Sequence, residues 1–532
     1  MSSRTYENDR ESLLTPSLVE LSAWRSLLTG EAEHNKLLQN FIRFVTLFCT
    51  THAVVDAILA FSIAELGLVL GSRGSFVLYL LYTLSALLIA KPTVARLGAK
   101  NGVLFGLIGM MCYVSAFFFA LNSTHAVTKE AIWLIGTALG GVGAGVLWTA
   151  EGTYFSLNAQ QYARAVMAQG AGAEAEVLPT GAQPVMSSAS SRSVISEEKA
   201  ISASLYTFAS IFAAGYLLLE TVFKVFATAT YMIDDTKNGS AWKSVVFGLY
   251  TLFGCVAVLI FAWRVKPFFS AEDYRTPGTS GGVDVEEIKR DTLEVMKAIY
   301  RDRKLQLLLP YQICFGFSSS MVNTFIVAQV ISTYIGDGYV GFLSALTTMT
   351  AVALSYPFTL VANRYLRGKY LIMLVGAAAF LLCGLALLLP VTTLGSWPLL
   401  VFYFIIYGFG RGAWENTNKA VVADYFGESS SYVEEEGEDV EHPSGHSGRL
   451  SAAVVQTSVQ SAYASVYFTS GLSAAIGYAS YASMSQGQIA ALNIFVPISA
   501  AIAFHASYRV HEAQESASHN YLADGLAGEE ME

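Results

Sequence analysis

A series of long apolar runs constrains this chain of 532 residues more than any other feature of its sequence. A helix of about 20 residues crosses the hydrocarbon core of a bilayer, and its backbone polar groups are then satisfied within the helix. Charged residues make up only 14% of the chain, against about 25% in soluble domains, so lipid must cover much of the surface. The sequence therefore predicts an all-α polytopic membrane protein with the lipid bilayer as a partner.

Twelve such runs are present, six on each side of a polar central segment. They cover residues 41–66, 76–95, 102–122, 131–156, 201–226, 243–264, 305–333, 339–362, 370–390, 397–424, 452–482 and 488–508. The run at 452–482 is rich in Ser, Ala and Gly and has low hydropathy. Because small residues allow close helix packing in membranes, we interpret it as a span that packs in the interior of a bundle.

These runs divide the chain into five parts. The parts are an N-terminal tail, a first six-helix bundle, a central linker, a second six-helix bundle and an acidic C-terminal tail, at residues 1–40, 41–265, 266–304, 305–508 and 509–532. Within the linker, residues 283–303 place apolar side chains at helical spacing among charged ones. This pattern predicts an amphipathic helix, which either lies on the inner membrane surface or is a solvated linker helix.

Basic residues indicate which side of the membrane the ends of the chain face. The central linker carries eight Lys and Arg residues, and the short connections on its side carry Lys91, Arg96, Lys100, Arg364, Arg367 and Lys369. By the positive-inside rule, both termini are predicted to be cytosolic. Two glycosylation sequons, at Asn122 and Asn238, fall on the opposite side and are candidate modification sites.

The N-terminal tail contains a candidate address signal. The pattern from Asp9 to Leu14 resembles an acidic dileucine sorting motif, which cytosolic receptors read. It favours an endolysosomal or vacuolar membrane, with the plasma membrane as the alternative.

Two glycine-rich segments lie about half the chain apart, each inside an apolar run. Their glycines are Gly141, Gly143 and Gly145 in the first and Gly408, Gly410 and Gly412 in the second. Glycines at this spacing allow helices to approach closely within a membrane. Two related membrane bundles are also the architecture of many secondary transporters, whose sites lie between the repeats.

The residues around these glycines carry a family resemblance. The two segments read Gly143-Ala-Gly-Val-Leu-Trp148-Thr149-Ala-Glu151-Gly152-Thr153-Tyr154 and Gly410-Arg411-Gly412-Ala-Trp414-Glu415-Asn416-Thr417-Asn418-Lys419. They resemble the uncoordinated-ninety-three-like family of the major facilitator superfamily, in which Gln often stands where this chain has Glu151. The resemblance implies a major facilitator-type arrangement of 6+6 transmembrane helices in two pseudo-symmetric bundles. It also implies two kinds of role, since some relatives look like regulatory subunits of potassium channels and others escort receptors between membranes.

Ionisable residues inside membrane spans are costly and are candidates for function. Asp56 lies near the middle of the first run, with His52 one helical turn before it on the same face. An imidazole beside a carboxylate can share or relay a proton, and Glu151 is a third proton-coupling candidate in the fourth run. The alternative is a hydrogen-bonded pair of His52 and Asp56 with a purely structural role.

Arg411 lies near the middle of the tenth run and has three possible partners. It can form an ion pair with Asp56 between the two bundles, bind an anionic substrate through its planar donor fork, or be satisfied by helix carbonyls. Glu415 and Lys419 are four residues apart and are predicted to neutralise each other. Four further side chains are candidates to line a cavity, namely Trp148, Trp414, Gln312 and Asn323.

These observations favour a transporter that moves a small solute or ion by alternating access, with proton coupling as an option. The alternative is a non-transporting membrane partner, such as a regulatory subunit of a potassium channel or a receptor-trafficking escort. The sequence contains no phosphate-binding loop, nucleophile elbow or metal-ligand cluster. We therefore expect neither an enzyme nor a cofactor, a metal or a nucleic-acid partner.

Overall fold

A computed structural model describes residues 33–177, 189–234, 239–267, 285–365, 367–427 and 447–529 of the chain, which are almost entirely helical. The first half contains α1 (Glu33–Leu66), α2 (Leu68–Leu88), α3 (Ala90–Leu121), α4 (Ala126–Val177), α5 (Ala189–Asp234) and α6 (Gly239–Arg264). A separate helix, Val285–Arg301, follows and is called the linker helix.

The second half repeats this arrangement. It contains α7 (Arg303–Tyr334), α8 (Val340–Arg364), α9 (Gly368–Ala386), α10 (Trp397–Ala413, continued by Trp414–Asn418 and Lys419–Gly427), α11 (Ser447–Ser480) and α12 (Gln486–Glu529). Two stretches in this half are π-helical, Val322–Ile331 in α7 and Trp414–Asn418 in α10.

Ten of the described helices are long and apolar enough to cross a membrane. The other two predicted spans correspond to α10, which is interrupted by its π-helical stretch, and α11, which is rich in small polar residues. The predicted fold class, an all-α membrane protein of the 6+6 type, is confirmed.

Several helices extend beyond the runs marked from the sequence. α1 begins at Glu33 rather than at residue 41, α4 continues to Val177, and α12 continues to Glu529 through most of the segment assigned to the C-terminal tail. Hydropathy identifies only the part of a helix that lies in the hydrocarbon core of the bilayer. The helix itself continues as far as its backbone hydrogen bonds continue. The first turns of α1 are also held in place, since Asn40 donates to the Tyr154 hydroxyl at 3.0 Å.

α11 shows how a span of low hydropathy is accommodated. Its Ser465 and Ser473 are buried, and their hydroxyls donate to backbone carbonyls one turn earlier in the helix. On one side, a Cβ added to Gly316 of α7 would meet the Ser473 side chain and the backbone of α11; on another, Gly471 of α11 lies against Tyr82 of α2. α11 is therefore enclosed by other helices, as expected from its small residues.

Large apolar side chains are exposed on the outer helices. Leu259 of α6, Phe495 of α12 and Ile502 of α12 are 71%, 69% and 67% exposed. A soluble protein would leave few such side chains in contact with water, and in a membrane they contact acyl chains.

The two halves meet along two seams. α2 packs against α11, and α5 packs against α8. The second seam includes two hydroxyl pairs, Ser210 with Thr359 at 3.0 Å and Thr221 with Thr348 at 2.6 Å. Because few polar contacts compete in lipid, these hydroxyl bridges fix how the two bundles are positioned relative to each other.

The glycine repeat packs in the same way in both halves. The outer two glycines of the first segment face α2, and those of the second segment face α8, which is the corresponding helix. The central glycine of each segment faces α3 in the first half and α9 in the second. The segments comprise Gly141, Gly143, Gly145 and Gly408, Gly410, Gly412.

The linker helix is docked against the helix ends on one side of the protein. It packs against α2, α3 and α11, buries Val295, and joins Glu294 to Lys91 of α3 by an ion pair of 2.6 Å. Leu293, Met296 and Tyr300 remain exposed. The amphipathic helix expected from the sequence is therefore present and is held by protein contacts.

We call this side of the protein the linker side, and the opposite side the far side.

We predict that Gly145→Ala destabilises the protein, because its new Cβ would lie 2.5 Å from the backbone nitrogen of Ala86. Forcing α2 and α4 apart should cost about 1–3 kcal/mol, measured as a lower temperature of thermal unfolding in detergent. Gly152→Ala is the matched control, since its Cβ would meet only the Tyr463 ring at 3.7 Å. Equal unfolding temperatures for the two variants would contradict this packing.

Candidate functional site

A cavity of about 170 Å³ lies between the two halves. Its walls come from α1, α2, α3, α4 and α5 of the first half and from α7, α8, α10 and α11 of the second half. Charged side chains from α1, α5 and α10 point towards it, surrounded by aromatic rings. A charged cavity enclosed by aromatic walls is an expensive arrangement in a membrane and is typical of a binding or translocation site.

The strongest contact across the cavity is an ion pair between α5 and α10. Arg411 donates from Nη1 and Nη2 to the two carboxylate oxygens of Glu220, at 2.7 and 2.6 Å. Lys224, one turn after Glu220, also donates to Oε1 of the carboxylate, at 2.5 Å. Glu220 is fully buried, so this bidentate pair joins the two halves in an environment where charge–charge attraction is strong.

Asp56 lies beside this ion pair and belongs to the same network. Its Oδ2 accepts a hydrogen bond from the Tyr216 hydroxyl at 2.7 Å and lies 3.2 Å from Nδ1 of His52. Arg411 Nη2 is 3.8 Å from the same oxygen. Asp56 and Arg411 thus converge as an ion pair between the halves, but the closer partner of Arg411 is Glu220.

The structure corrects the predicted pairing of Glu415 with Lys419. Lys419 Nζ instead lies 3.2 Å from Oε2 of Glu151, in α4 of the other half, and 4.4 Å from the centre of the Phe212 ring. Glu415 lies within the π-helical stretch Trp414–Asn418, which ends just before Lys419, and its wider turn rotates Lys419 away from Glu415. Glu151 and Lys419 therefore form a second ion pair across the two halves, towards the linker side.

Glu415 remains on the cavity wall after this correction. Its carboxylate is 3.7 Å from Nε of Arg411, which is longer than a hydrogen bond. Its side chain is 9% exposed. Glu415 is therefore a buried acid with a distant partner, in contrast to Glu220 and Glu151.

Three of the four predicted cavity residues line the cavity, and one does not. Trp148, Trp414 and Asn323 are on its walls, and Asn323 also donates to the Tyr478 hydroxyl at 2.8 Å. Gln312 instead lies behind Trp414, fully buried, and accepts a hydrogen bond from the indole Nε1 at 3.0 Å.

The position of Gln312 follows from its place on α7. Gln312 is three residues before Phe315, and the Phe315 ring stacks on Trp414 with centroids 3.8 Å apart. Gln312 also donates to Asn418 Oδ1 at 2.8 Å. Together these contacts fix the indole of Trp414 against the cavity.

Glu220 and Lys224 are functional candidates that the sequence analysis did not select. Both lie within the fifth apolar run, in the segment Leu-Leu-Leu-Glu220-Thr-Val-Phe-Lys224. An acid and a base four residues apart inside a span are a signal of the same kind as His52 with Asp56. Arg411, the partner of Glu220 in the other half, is far away in the sequence, so only the folded chain shows the connection.

Contacts between the halves lie on both sides of the cavity. Towards the far side, Tyr79 of α2 stacks on Tyr478 of α11 with centroids 5.3 Å apart, within an apolar cluster that includes Ile63. Towards the linker side, the Glu151–Lys419 pair and the Ser210–Thr359 hydroxyl pair join the halves. Contacts between the halves thus flank the cavity on both sides.

The remaining sequence predictions concern the periphery. Asn122 is exposed at the end of α3, where its amide donates to the Phe118 carbonyl at 2.7 Å and its Oδ1 accepts from Ser244 at 2.6 Å. Its glycosylation stays a prediction. Asn238 and the Asp9–Leu14 pattern lie outside the described residues.

We predict that Arg411 and Glu220 are energetically coupled. Arg411→Gln or Glu220→Gln alone should each lower stability by about 3–5 kcal/mol, because each leaves a buried charge without its bidentate partner in the other half. The double variant should lose less than the sum of the two, measured by thermal or denaturant unfolding in detergent. The control is the exposed pair of Arg73 and Glu130, 3.3 Å apart, which should contribute less than about 1 kcal/mol. Additive losses at Arg411 and Glu220 would contradict the coupling.

Comparison with known proteins agrees with the motifs. The family described as ion channel regulatory protein UNC-93 matches residues 69–169. Protein unc-93 homolog A from cattle (Bos taurus) is 22% identical over 348 residues, which are 64% of this chain and 71% of that protein. The human protein of the same name (Homo sapiens) is 22% identical over 351 residues, 65% of this chain and 72% of that protein.

The fold has a counterpart among solved structures. A crystal structure of a mutant of the nucleoside transporter NupG matches with a TM-score of 0.51 at 11% identity, covering 89% of this chain and 99% of that chain. At so low an identity the likeness concerns the fold alone. The predicted resemblance is therefore confirmed: residues 69–169, which include the first glycine-rich segment, are similar to the UNC-93 family, and the chain has a fold like that of a solved major facilitator-type protein.

Proposed function

We propose that this protein is a secondary transporter that moves a small solute or ion through the cavity between its halves by alternating access. The observation that carries the proposal is the network of Asp56, Glu220 and Arg411 in that cavity. A protein that needed only an outer surface for its partners would gain little from burying these charges, because their removal from water costs several kcal/mol each.

Proton exchange is part of the proposal. The Asp56 carboxylate is hydrogen-bonded to Tyr216 and lies beside His52, and Arg411 is its more distant neighbour. A proton on His52 or Asp56 would change the attraction between Asp56 and Arg411, and with it the balance of contacts that holds the halves together. Glu151 would act similarly on the linker side through Lys419.

The enclosing contacts suggest how access would alternate. Opening the linker side requires the Glu151–Lys419 and Ser210–Thr359 contacts to separate, while opening the far side requires Tyr79 to leave Tyr478. Rocking of two rigid bundles about a central site achieves each of these in turn. The Arg411–Glu220 pair lies between the two sets of contacts, where it can act as the pivot.

A second candidate function has its own support. The matching family is described as ion channel regulatory, so a non-transporting partner of an ion channel remains an alternative. In that case the buried charges would fix the fold, and the outer helices would carry the contacts. Receptor escort is a variant of the same alternative.

For orientation and location, we propose that the linker side faces the cytosol. Lys91, Lys100 and Arg367 all lie on that side, as judged from their contacts with Glu294, the Ala262 carbonyl and Glu512. The positive-inside rule then places both termini in the cytosol. The membrane would be endolysosomal, vacuolar or plasma membrane.

We predict that Asp56→Asn abolishes proton-coupled flux. Purified protein in liposomes with a pH gradient should move protons or solute, and loss of the titratable carboxylate should reduce this flux at least tenfold. Glu130→Gln is the matched control, because Glu130 is exposed on the far side and pairs only loosely with Arg73. Full flux in Asp56→Asn would contradict the role of Asp56, and absence of flux over a broad solute panel while a channel co-purifies would favour the regulatory alternative.

A second prediction concerns the movement itself. Ser210→Cys with Thr359→Cys, oxidised to a disulfide, should hold the linker side closed and stop flux, and a reductant should restore it. Both variants should be made after Cys112 and Cys255, which are partly exposed, are replaced by Ser. Asn122→Cys with Ser244→Cys is the control, since it joins α3 to α6 inside one bundle. Unchanged flux through the locked protein would rule out rocking at this seam.

A further inference from the structure

We propose that the cavity binds a small organic monocation, an ammonium-bearing molecule slightly larger than benzene, with the Glu415 carboxylate as its ionic contact. The inference rests on the proposed function, since it names the class of solute that the same cavity would carry. The binding site can nevertheless be tested without any transport measurement.

The acidic side chains around the cavity outnumber the Lys and Arg side chains by one. Among the described residues of this network, the acids are Asp56, Glu151, Glu220 and Glu415, and the Lys and Arg side chains are Lys224, Arg411 and Lys419. These four acids outnumber the three Lys and Arg side chains by one, and His52 lies beside Asp56 as a further titratable group. An uncompensated charge in this environment is costly, so a bound cation stabilises the cavity.

Among these acids, Glu415 has the fewest close hydrogen-bonding partners. Two nitrogens of Arg411 are occupied by Glu220, and the third, Nε, is 3.7 Å from Glu415. No described residue donates a hydrogen bond to the Glu415 carboxylate at hydrogen-bonding distance. The side chain of Glu415 is more than nine-tenths buried and lines the cavity, so its carboxylate is accessible to the N–H donors of a ligand bound there.

Tyr467 supplies an independent observation at the same cavity. It lines the cavity from α11, is 4% exposed, and its hydroxyl has no hydrogen-bond partner in the described part of the chain. Buried hydroxyls in native proteins almost always have partners. The oxygen of Tyr467 can accept one N–H of an ammonium group whose other N–H groups reach the carboxylate.

The walls suit the organic part of such a cation. Tyr82, Tyr407, Phe315 and Trp414 contribute rings to the cavity surface, and aromatic faces attract cations by about 0.5–2 kcal/mol. The volume of about 170 Å³ is close to that of cavities of roughly 150 Å³ that hold benzene. A small aryl or alkyl ammonium ion fits both the volume and the charge.

The same contacts disfavour other ligands. An anion would need a free cationic side chain, but Arg411 and Lys224 are engaged by Glu220, and Lys419 is engaged by Glu151. An alkali metal ion is held by rings of several oxygens, whereas much of this wall is aromatic carbon.

The test compares benzylammonium with benzyl alcohol and benzoate, which have similar shapes but different charges. Binding to the full chain in detergent is followed by the fluorescence of Trp148 and Trp414, both on the cavity wall, and by thermal stabilisation. We expect saturable binding of benzylammonium and at least tenfold weaker binding of the neutral and anionic probes. Potassium or sodium ions at tenfold higher concentration should not displace it.

Variants locate the site. Glu415→Gln should weaken benzylammonium binding at least tenfold and Tyr467→Phe about twofold to fivefold, whereas Glu130→Gln should leave it unchanged. If Glu415→Gln fails to fold, the comparison of benzylammonium, benzyl alcohol and benzoate in the unmodified protein still tests the proposal. Equal binding of the three probes, displacement by potassium or sodium, or unchanged affinity in folded Glu415→Gln would each overturn the inference.

The outcome also separates the inference from the proposed function. Selective binding of benzylammonium, without flux of it or of any other solute of the panel into liposomes, would support the site and overturn transport. Flux of other solutes without selective cation binding would support transport and overturn the site.

Discussion

The bidentate ion pair between Arg411 and Glu220 is the interaction on which the rest of this structure depends. It connects α10 to α5 across the boundary between the two halves, and it orders Asp56, Lys224 and Glu415 around itself. A charge buried in a membrane protein must be matched in place, because no water is available to replace a lost partner. The geometry of the cavity therefore follows from how this one guanidinium is satisfied.

The two halves are related by repetition, yet the charges that join them are not repeated. The glycines of each segment pack equivalently on α2 and α3 or on α8 and α9. In contrast, Arg411 and Lys419 come from the second half, whereas Glu151, Asp56 and Glu220 come from the first. Opposite charge on the two halves draws the bundles together, and any process that changes this charge changes the strength of their attachment.

The sequence predicted much of the scaffold and only part of the site. Hydropathy and the glycine segments were sufficient for the 6+6 arrangement, because apolar length and small residues act locally along one helix. Asp56, His52 and Arg411 were identified as charges inside spans, and they do converge. The partner of Arg411 was missed because pairing across the halves depends on the rotation of α5.

The pairing of Lys419 is a second case in which sequence spacing does not predict the partner of a charged side chain. Spacing along the sequence indicated Glu415, four residues earlier, as expected for a regular α-helix. The π-helical stretch that contains Glu415 and ends just before Lys419 changes the register, and Lys419 meets Glu151 instead. Gln312 likewise has the polarity of a cavity residue, but its helix face turns it behind Trp414. Local deviations in helix geometry determine which polar groups reach the cavity, and spacing along the sequence does not predict these deviations.

The central claim is that the halves move as two bodies about this charged seam. Distances between spin labels test it most directly, with one pair on Leu97 and Leu371 at the linker side and another on Val127 and Ser485 at the far side, all exposed positions. We expect two populations for each pair, with the linker-side distance long when the far-side distance is short, and a shift between populations when Glu220 is replaced by Gln. A single distance for each pair, unchanged by that replacement, would contradict it.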